Sequence, residues 1–189
     1  QVVLYRDQLV YSSEIPTETV EKFHQMVKED GYGLTAYNDK QFYLVASSPG
    51  AKDAYGFIHS NPPALNPDFY KENPINMMLF ISLPPAEEKY KVAFPNLDFL
   101  RNTPYSVDVI SKGNSKAEGI KRFLEHLNQE DAKTYAFGDG PNDIEMLQAV
   151  SHPVAMGNAL HILKEIAEYI TTDNTDNGIV NGLKHYGLI

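Results

Sequence analysis

The chain has 189 residues, of which 42% are hydrophobic, and a formal net charge of -9. That length and apolar content suit one or two folded domains and exclude a disordered chain, while the acidic balance argues against a general nucleic-acid surface or an anionic-membrane surface. The absence of cysteine rules out disulfides, thiolate metal sites and a cysteine nucleophile, and it fits a reducing, cytoplasmic compartment. From the first residue, Gln1–Tyr11 (QVVLYRDQLVY) reads as two short strands around Arg6-Asp7-Gln8. Ile15-Pro16-Thr17 then opens a helix with Val20, Phe23, His24 and Val27 at helical spacing and Gly31 suited to its C-terminal end. His24 reads as a packed histidine, with no partner at metal-binding spacing.

Leu34–Tyr37 and Gln41–Ala46 read as a hairpin across Asn38-Asp39-Lys40. A short helix over Ala51–Ser60 and a Pro/Asn-rich loop over Asn61–Pro67 follow. Ile75–Leu83 reads as a long apolar strand central to a sheet, and its Met77–Leu83 stretch, the strongest apolar run, is too short to span a membrane. Pro84-Pro85 suits the first turn of a helix. Leu97–Arg101 and Ser106–Ile110 read as strands, and Asn102-Thr103-Pro104 between them as a linker.

From there strands and helices alternate. Helices are expected over Ser115–Asn128, Ile144–Val150, His161–Ala167 and Ile179–His185, and strands over Tyr135–Phe137, Pro153–Ala155 and Tyr169–Thr171. Such alternation predicts a parallel sheet covered on both faces. The chain therefore reads as α/β, with a compact module over Ile15–Pro104 and half of a doubly wound domain from Tyr105 onward.

Residues 138–146 (GDGPNDIEM) are the most informative stretch. Asp139 and Asp143 fall in one short turn with Asn142 beside the second, between the strand-like TYAF of Thr134–Phe137 and a helix. The crevice at strand C-terminal ends is where open α/β sheets bind ligands. Free N–H groups there suit phosphate, and carboxylates suit a hard cation such as Mg2+. Upstream, Lys116 lies early on its helix, placed to project over the same sheet edge as a point charge.

Four segments in this order and spacing resemble the Cof-type branch of the haloacid-dehalogenase-like (HAD) phosphohydrolases: KGNSKAEGI (112–120), YAFGDGPNDIEML (135–147), VAMGNA (154–159) and YITTDNTDNGI (169–179). The resemblance is specific over Val107–Ile189 and looser before it. It implies a HAD-like, partial doubly wound core with an α/β substrate cap: residues 1–14 as a β-hairpin at the core edge, 15–104 as the cap and 105–189 as the C-terminal half of the core. It further implies Asp139 and Asp143 at a Mg2+ site, with Asp143 supporting the metal or orienting Lys116. Lys116 and Asn142 would contact the phosphate, and Gly157 and Asn158 would shape the rim. The implied activity is Mg2+-dependent hydrolysis of small phosphorylated metabolites through an aspartyl-phosphate intermediate, with no nucleic-acid or membrane partner.

The sequence departs from that family in two respects, the second being that no Ser or Thr stands convincingly for its phosphate-binding second motif. The family opens on Asp-x-Asp-Gly-Thr, whose first Asp is the nucleophile, and no Asp-x-Asp occurs in these residues. Gln1 stands where a start would have Met. The expectation is a piece lacking the nucleophile, inactive alone, with an unpaired core-sheet edge open to association or to a missing N-terminal segment. The alternative is a non-catalytic ligand-binding or interaction remnant of such a phosphatase. A receiver-like fold is disfavoured, because the first module interrupts the alternation it requires.

Overall fold

A computed structural model describes residues 2–189. The chain divides into two compact units. Tyr11–Asn114 belong to one, and Val3–Val10 with Ser115–Ile189 to the other.

The chain opens on a hairpin of β1 (Val2–Tyr5) and β2 (Gln8–Ser12). Arg6 and Asp7 connect the strands with φ of 49° and 63°, the positive pair that lets a two-residue turn match the strand twist. Tyr5 sets its ring edge against Phe123, with centroids 5.7 Å apart.

The first unit is built on a five-stranded sheet. Its strands are β3 (Gly33–Tyr37), β4 (Phe42–Ala46), β5 (Met77–Ile81), β6 (Leu97–Thr103) and β7 (Ser106–Ser111), ordered β4-β3-β5-β7-β6 with every pair antiparallel. The apolar strand expected near Ile75–Leu83 is the central one. Residues two apart share a sheet face. Leu34 and Ala36, Met78 and Phe80, and Val107 and Val109 accordingly enter one core with Val20, Phe23 and Val27 of helix α1 (Thr17–Glu29). Helices α2 (Ala51–Phe57), α3 (Phe69–Glu72) and α4 (Glu87–Ala93) complete this unit. Phe69 and Tyr70 of α3 and Tyr90 of α4 join the same core, where the Phe23 ring lies within 5.7 Å of those of Phe80, Tyr90 and Phe94. Ala54 and Tyr55 of α2 instead pack with Leu44 and Ile81, from alternate sheet positions. The Tyr55 hydroxyl lies 2.9 Å from both Thr35 Oγ1 and the Tyr37 hydroxyl. His24 is buried, as expected of a packed residue, with Nδ1 3.2 Å from the Tyr70 hydroxyl, and burial pushes its imidazole below the usual range.

The structure moves the boundary expected after Pro104. Strand β7 pairs Leu79↔Asp108 with β5 and Leu100↔Asp108 with β6, so it belongs to the first sheet and the unit extends to Asn114. The Asn102–Pro104 segment is a hairpin corner rather than a linker. The Thr103 hydroxyl lies 2.8 Å from that of Ser106 and accepts the Tyr105 N–H at 3.2 Å. Polar Ser106 and Asp108 alternate with apolar Val107 and Val109 along the strand, and Ser106 is buried with the two valines.

The second unit carries a parallel sheet of β8 (Tyr135–Gly138), β9 (His152–Ala155) and β10 (Tyr169–Ile170), ordered β10-β9-β8. Helix α5 (Lys116–Leu127) precedes β8, α6 (Ile144–Ala149) and α7 (His161–Ile166) make the crossovers, and α8 (Gly178–His185) follows β10. Ala136, Leu147, Ala155, Met156, Ala159 and Leu163 form its core. Among the described residues β8 has a single strand neighbour, β9. Ile120, Phe123, Leu124 and Leu127 of α5 are each half-buried.

Candidate active site

The site is assembled at the C-terminal end of β8. The strand ends at Gly138, Asp139 leads out of it, and Pro141–Asp143 form one turn of 3-10 helix that runs into α6. Pro141 opens that turn, where a missing N–H costs nothing. Gly138 is required by close approach, because a Cβ there would lie 2.7 Å from Asp143 Cβ.

Asp143 is 5% exposed. Its Oδ2 accepts the N–H groups of Asp139 at 3.0 Å and Gly140 at 3.2 Å, and its Oδ1 accepts from Lys116 Nζ. Burial pushes the Asp143 carboxyl up. The Lys116 ammonium and the two N–H groups more than reverse this and hold it below the ordinary carboxylate range.

Lys116 reaches this point because it is the first residue of α5. Ser115, in extended conformation, caps the helix by accepting the Glu118 N–H at 3.4 Å, the S-x-x-E start legible in the sequence. Asn128 closes α5 in the left-handed region at φ 50°. The Lys116 side chain remains 48% exposed, so its ammonium is anchored on Asp143 yet open to solvent.

Asp139 is exposed, and its Oδ2 accepts from Asn158 Nδ2 at 2.9 Å. Among the described residues its Oδ1 accepts no hydrogen bond. Asn142 is exposed on the same turn.

Lys116, Asp139, Asn142 and Asp143 therefore do converge. The geometry narrows two expectations. Asp143, expected either to support the metal or to orient Lys116, has both oxygens engaged inside the protein, and its geometry is that of an anchor for the turn and for Lys116. Of the N–H groups at this strand end, where free ones would suit phosphate, those of Asp139 and Gly140 point at Asp143. The reason is the tightness of the turn, which brings residues three and four apart within hydrogen-bonding distance.

The sequence reading placed Gly157 and Asn158 at the rim but did not anticipate the Asn158–Asp139 contact. The available signal was VAMGNA, which puts Asn158 just past the end of β9, the strand beside β8. No group of three His, Cys, Asp or Glu suited to holding a metal occurs among the described residues. No helix among them is long and apolar enough to cross a membrane.

An exposed acid and an anchored lysine thus stand at the carboxyl edge of the parallel sheet of an α/β protein. A profile of haloacid dehalogenase-like hydrolases matches residues 1–183, and the chain belongs to that family. It is 34% identical over 190 positions to "Putative phosphatase YkrA" of Bacillus subtilis (strain 168), an alignment covering all of this chain and 74% of that protein. A crystal structure of a hypothetical protein from Geobacillus kaustophilus HTA426 superposes with a TM-score of 0.91 at 32% identity, over 100% of this chain and 74% of that one. A phosphatase of the haloalkanoate (HAD) enzyme superfamily from Bacteroides thetaiotaomicron superposes at 0.86 with 26% identity, over 99% of this chain and 70% of that one. Family and relatives together identify the chain as a HAD phosphatase.

Proposed function

We propose that the chain serves a Mg2+-dependent phosphatase that acts on small phosphorylated metabolites through an aspartyl-phosphate intermediate. The observation that carries this reading is the Lys116–Asp143 pair standing beside exposed Asp139 at the end of β8.

In this reading Asp139 would hold the cation through its carboxylate. An exposed hard oxygen at a strand end fits Mg2+ as one ligand of six. Asp143 does not fit as a second, because its oxygens are occupied. The remaining coordination comes from the substrate phosphate, from water and from groups outside this turn. When bound, Mg2+ supplies charge neutralisation on the phosphoryl oxygens.

Lys116 contributes the other positive charge. Asp143 takes one direction of its ammonium and leaves the rest for a phosphoryl oxygen or for the attacking carboxylate. Because Asp143 is itself pinned by two backbone N–H groups, Lys116 is held in place before substrate arrives, which lowers the reorganisation needed during transfer. Asn142 offers a side-chain amide to the phosphate from the same turn. The attacking carboxylate is not among these 189 residues as an Asp-x-Asp motif. The first unit, in the position of a substrate cap, would select the metabolite.

The test is release of inorganic phosphate from an aryl phosphate with and without Mg2+, beside an Asp139→Asn variant purified identically. Mg2+-dependent turnover in the parent and its loss in the variant support the reading. A folded parent with no turnover, but saturable binding of a phosphate ester, would replace it with the non-catalytic binding module.

A further inference from the structure

We infer that Asn158 is a positioning residue for Asp139 and sets which of its oxygens faces the cation. This rests on the reading of Asp139 as a cation ligand and extends it to a residue on a neighbouring loop.

Both ends of the Asn158 amide are in use. Nδ2 donates to Asp139 Oδ2 at 2.9 Å, and Oδ1 accepts the backbone N–H of Asn174 at 3.0 Å. The reversed amide would set oxygen against carboxylate and NH2 against N–H, losing both bonds, so chemistry fixes its orientation. The Asn174 donor is backbone and cannot rotate away. Asn158 therefore presents a donor to Asp139 in a predetermined direction.

The corner that carries Asn158 is held on both sides. Leu160 N–H donates to the Asp139 carbonyl at 3.1 Å, and Gly157 N–H to the Thr172 carbonyl at 3.0 Å. Lys164 Nζ donates to the Gly157 carbonyl. At Gly157 the approach is so close that a Cβ would lie 2.3 Å from Asp173 Oδ1 and 2.7 Å from its backbone nitrogen. Three loops are thus tied in series: the Asp139 turn, the Gly157–Leu160 corner and the Thr172–Asn174 segment.

The consequence falls on Asp139. Its side chain is exposed, with no packing to hold a rotamer. Fixing Oδ2 on Asn158 restricts rotation of the carboxylate and leaves Oδ1 without a hydrogen bond among the described residues. Removing the amide frees that rotation, and the ligand must then be ordered each time a cation binds. Partners that orient a metal ligand are worth roughly 10- to 100-fold in affinity; solvent exposure puts this one at the lower end, roughly tenfold.

The test measures Mn2+ affinity from the electron-paramagnetic signal of the free ion, for the parent, Asn158→Ala and Asn158→Gln. The expected result is about tenfold weaker Mn2+ binding for Asn158→Ala. The Mg2+ half-saturation for phosphate release should shift in parallel, with KM for an aryl phosphate at saturating Mg2+ and the thermal midpoint close to the parent. Asn158→Gln, which restores donor and acceptor on a longer stem, should recover part of the loss. Equal Mn2+ affinity in parent and Asn158→Ala would overturn the inference while leaving Asp139 as a ligand. A lowered thermal midpoint with unchanged Mn2+ affinity would also overturn it, reducing Asn158 to a link between loops. A parent that binds no Mn2+ would remove the reading of Asp139 together with the inference.

Discussion

Replacing Lys116 with Met retains the side-chain stem and removes the charge opposite Asp143. Removing one partner of a fully buried pair costs about 3–5 kcal/mol. Here Asp143 is buried at 7% side-chain exposure but Lys116 is 48% exposed, so solvent already screens the pair. Asp143 also keeps its two backbone N–H donors after the substitution. The cost should therefore be about 1–2 kcal/mol, near that of one charge-assisted hydrogen bond. In a chain of this size that is a fall in Tm of about 2–8 °C.

The loss should depend on pH. Asp143 is held below the ordinary carboxylate range in the folded protein, so the stability it contributes is present above its unfolded pKa. It disappears as pH falls through the lower folded value. Thermal melts of parent and Lys116→Met should thus differ at pH 7 and converge below about pH 4. Asp143→Ala should be more damaging, about 3 kcal/mol, because it deletes the ion pair and two bonds of the turn. Adding Lys116→Met to Asp143→Ala should then cost almost nothing. Equal melting of parent and Lys116→Met at pH 7, or a difference that persists undiminished at pH 3, would refute the account of the pair.

Gly138→Ala should destabilise by about 1–3 kcal/mol and lower phosphate release, since its Cβ would meet Asp143 Cβ at 2.7 Å and displace the anchor; an unchanged melt would count against the close approach. Asp108 on β7 has its carboxyl raised by burial, only partly opposed by the Asn102 amide that donates to it at 2.6 Å. Its charged form is disfavoured in the fold, so Asp108→Asn should raise the thermal midpoint at pH 7, and the gain should shrink as pH falls and the parent carboxyl protonates. In the absence of a phosphate ester the chain should bind Mg2+ weakly, because the turn has only Asp139 to offer and Mg2+ wants six oxygens; calorimetric titration showing tight binding would contradict that assignment.

Much of the second unit was legible in the sequence. The alternation after Ser115 is local, and each helix carries its own start and stop signals, such as Ser115 with Glu118 and Asn128 at the close of α5. The order of GDGPND, its preceding strand and the upstream lysine was enough to bring Lys116, Asp139, Asn142 and Asp143 to one sheet end. The first unit was harder. Asn102-Thr103-Pro104 has the same composition whether it links domains or turns a hairpin, and β7 was misassigned for that reason. The alternation of polar Ser106 and Asp108 with apolar Val107 and Val109 was the better guide, because antiparallel strands commonly alternate in this way and the near-continuous apolar strands of a parallel sheet do not.

What the sequence alone determined about this protein is its α/β class, the strand–turn–helix frame and the set of residues at the strand end, all consequences of spacings within a few residues. Tertiary structure decided the roles within that set. Asp139 and Asp143 are the same residue type four positions apart, and nothing local distinguishes the exposed carboxylate from the buried anchor. The difference comes from Lys116, which is 27 positions away from Asp143, and from Asn158, which is 19 from Asp139. Those contacts exist only once α5 and the corner after β9 are packed beside β8. The pairing of β7 with β5 and β6 was settled in the same way, by a ladder that forms across the sheet rather than along the chain.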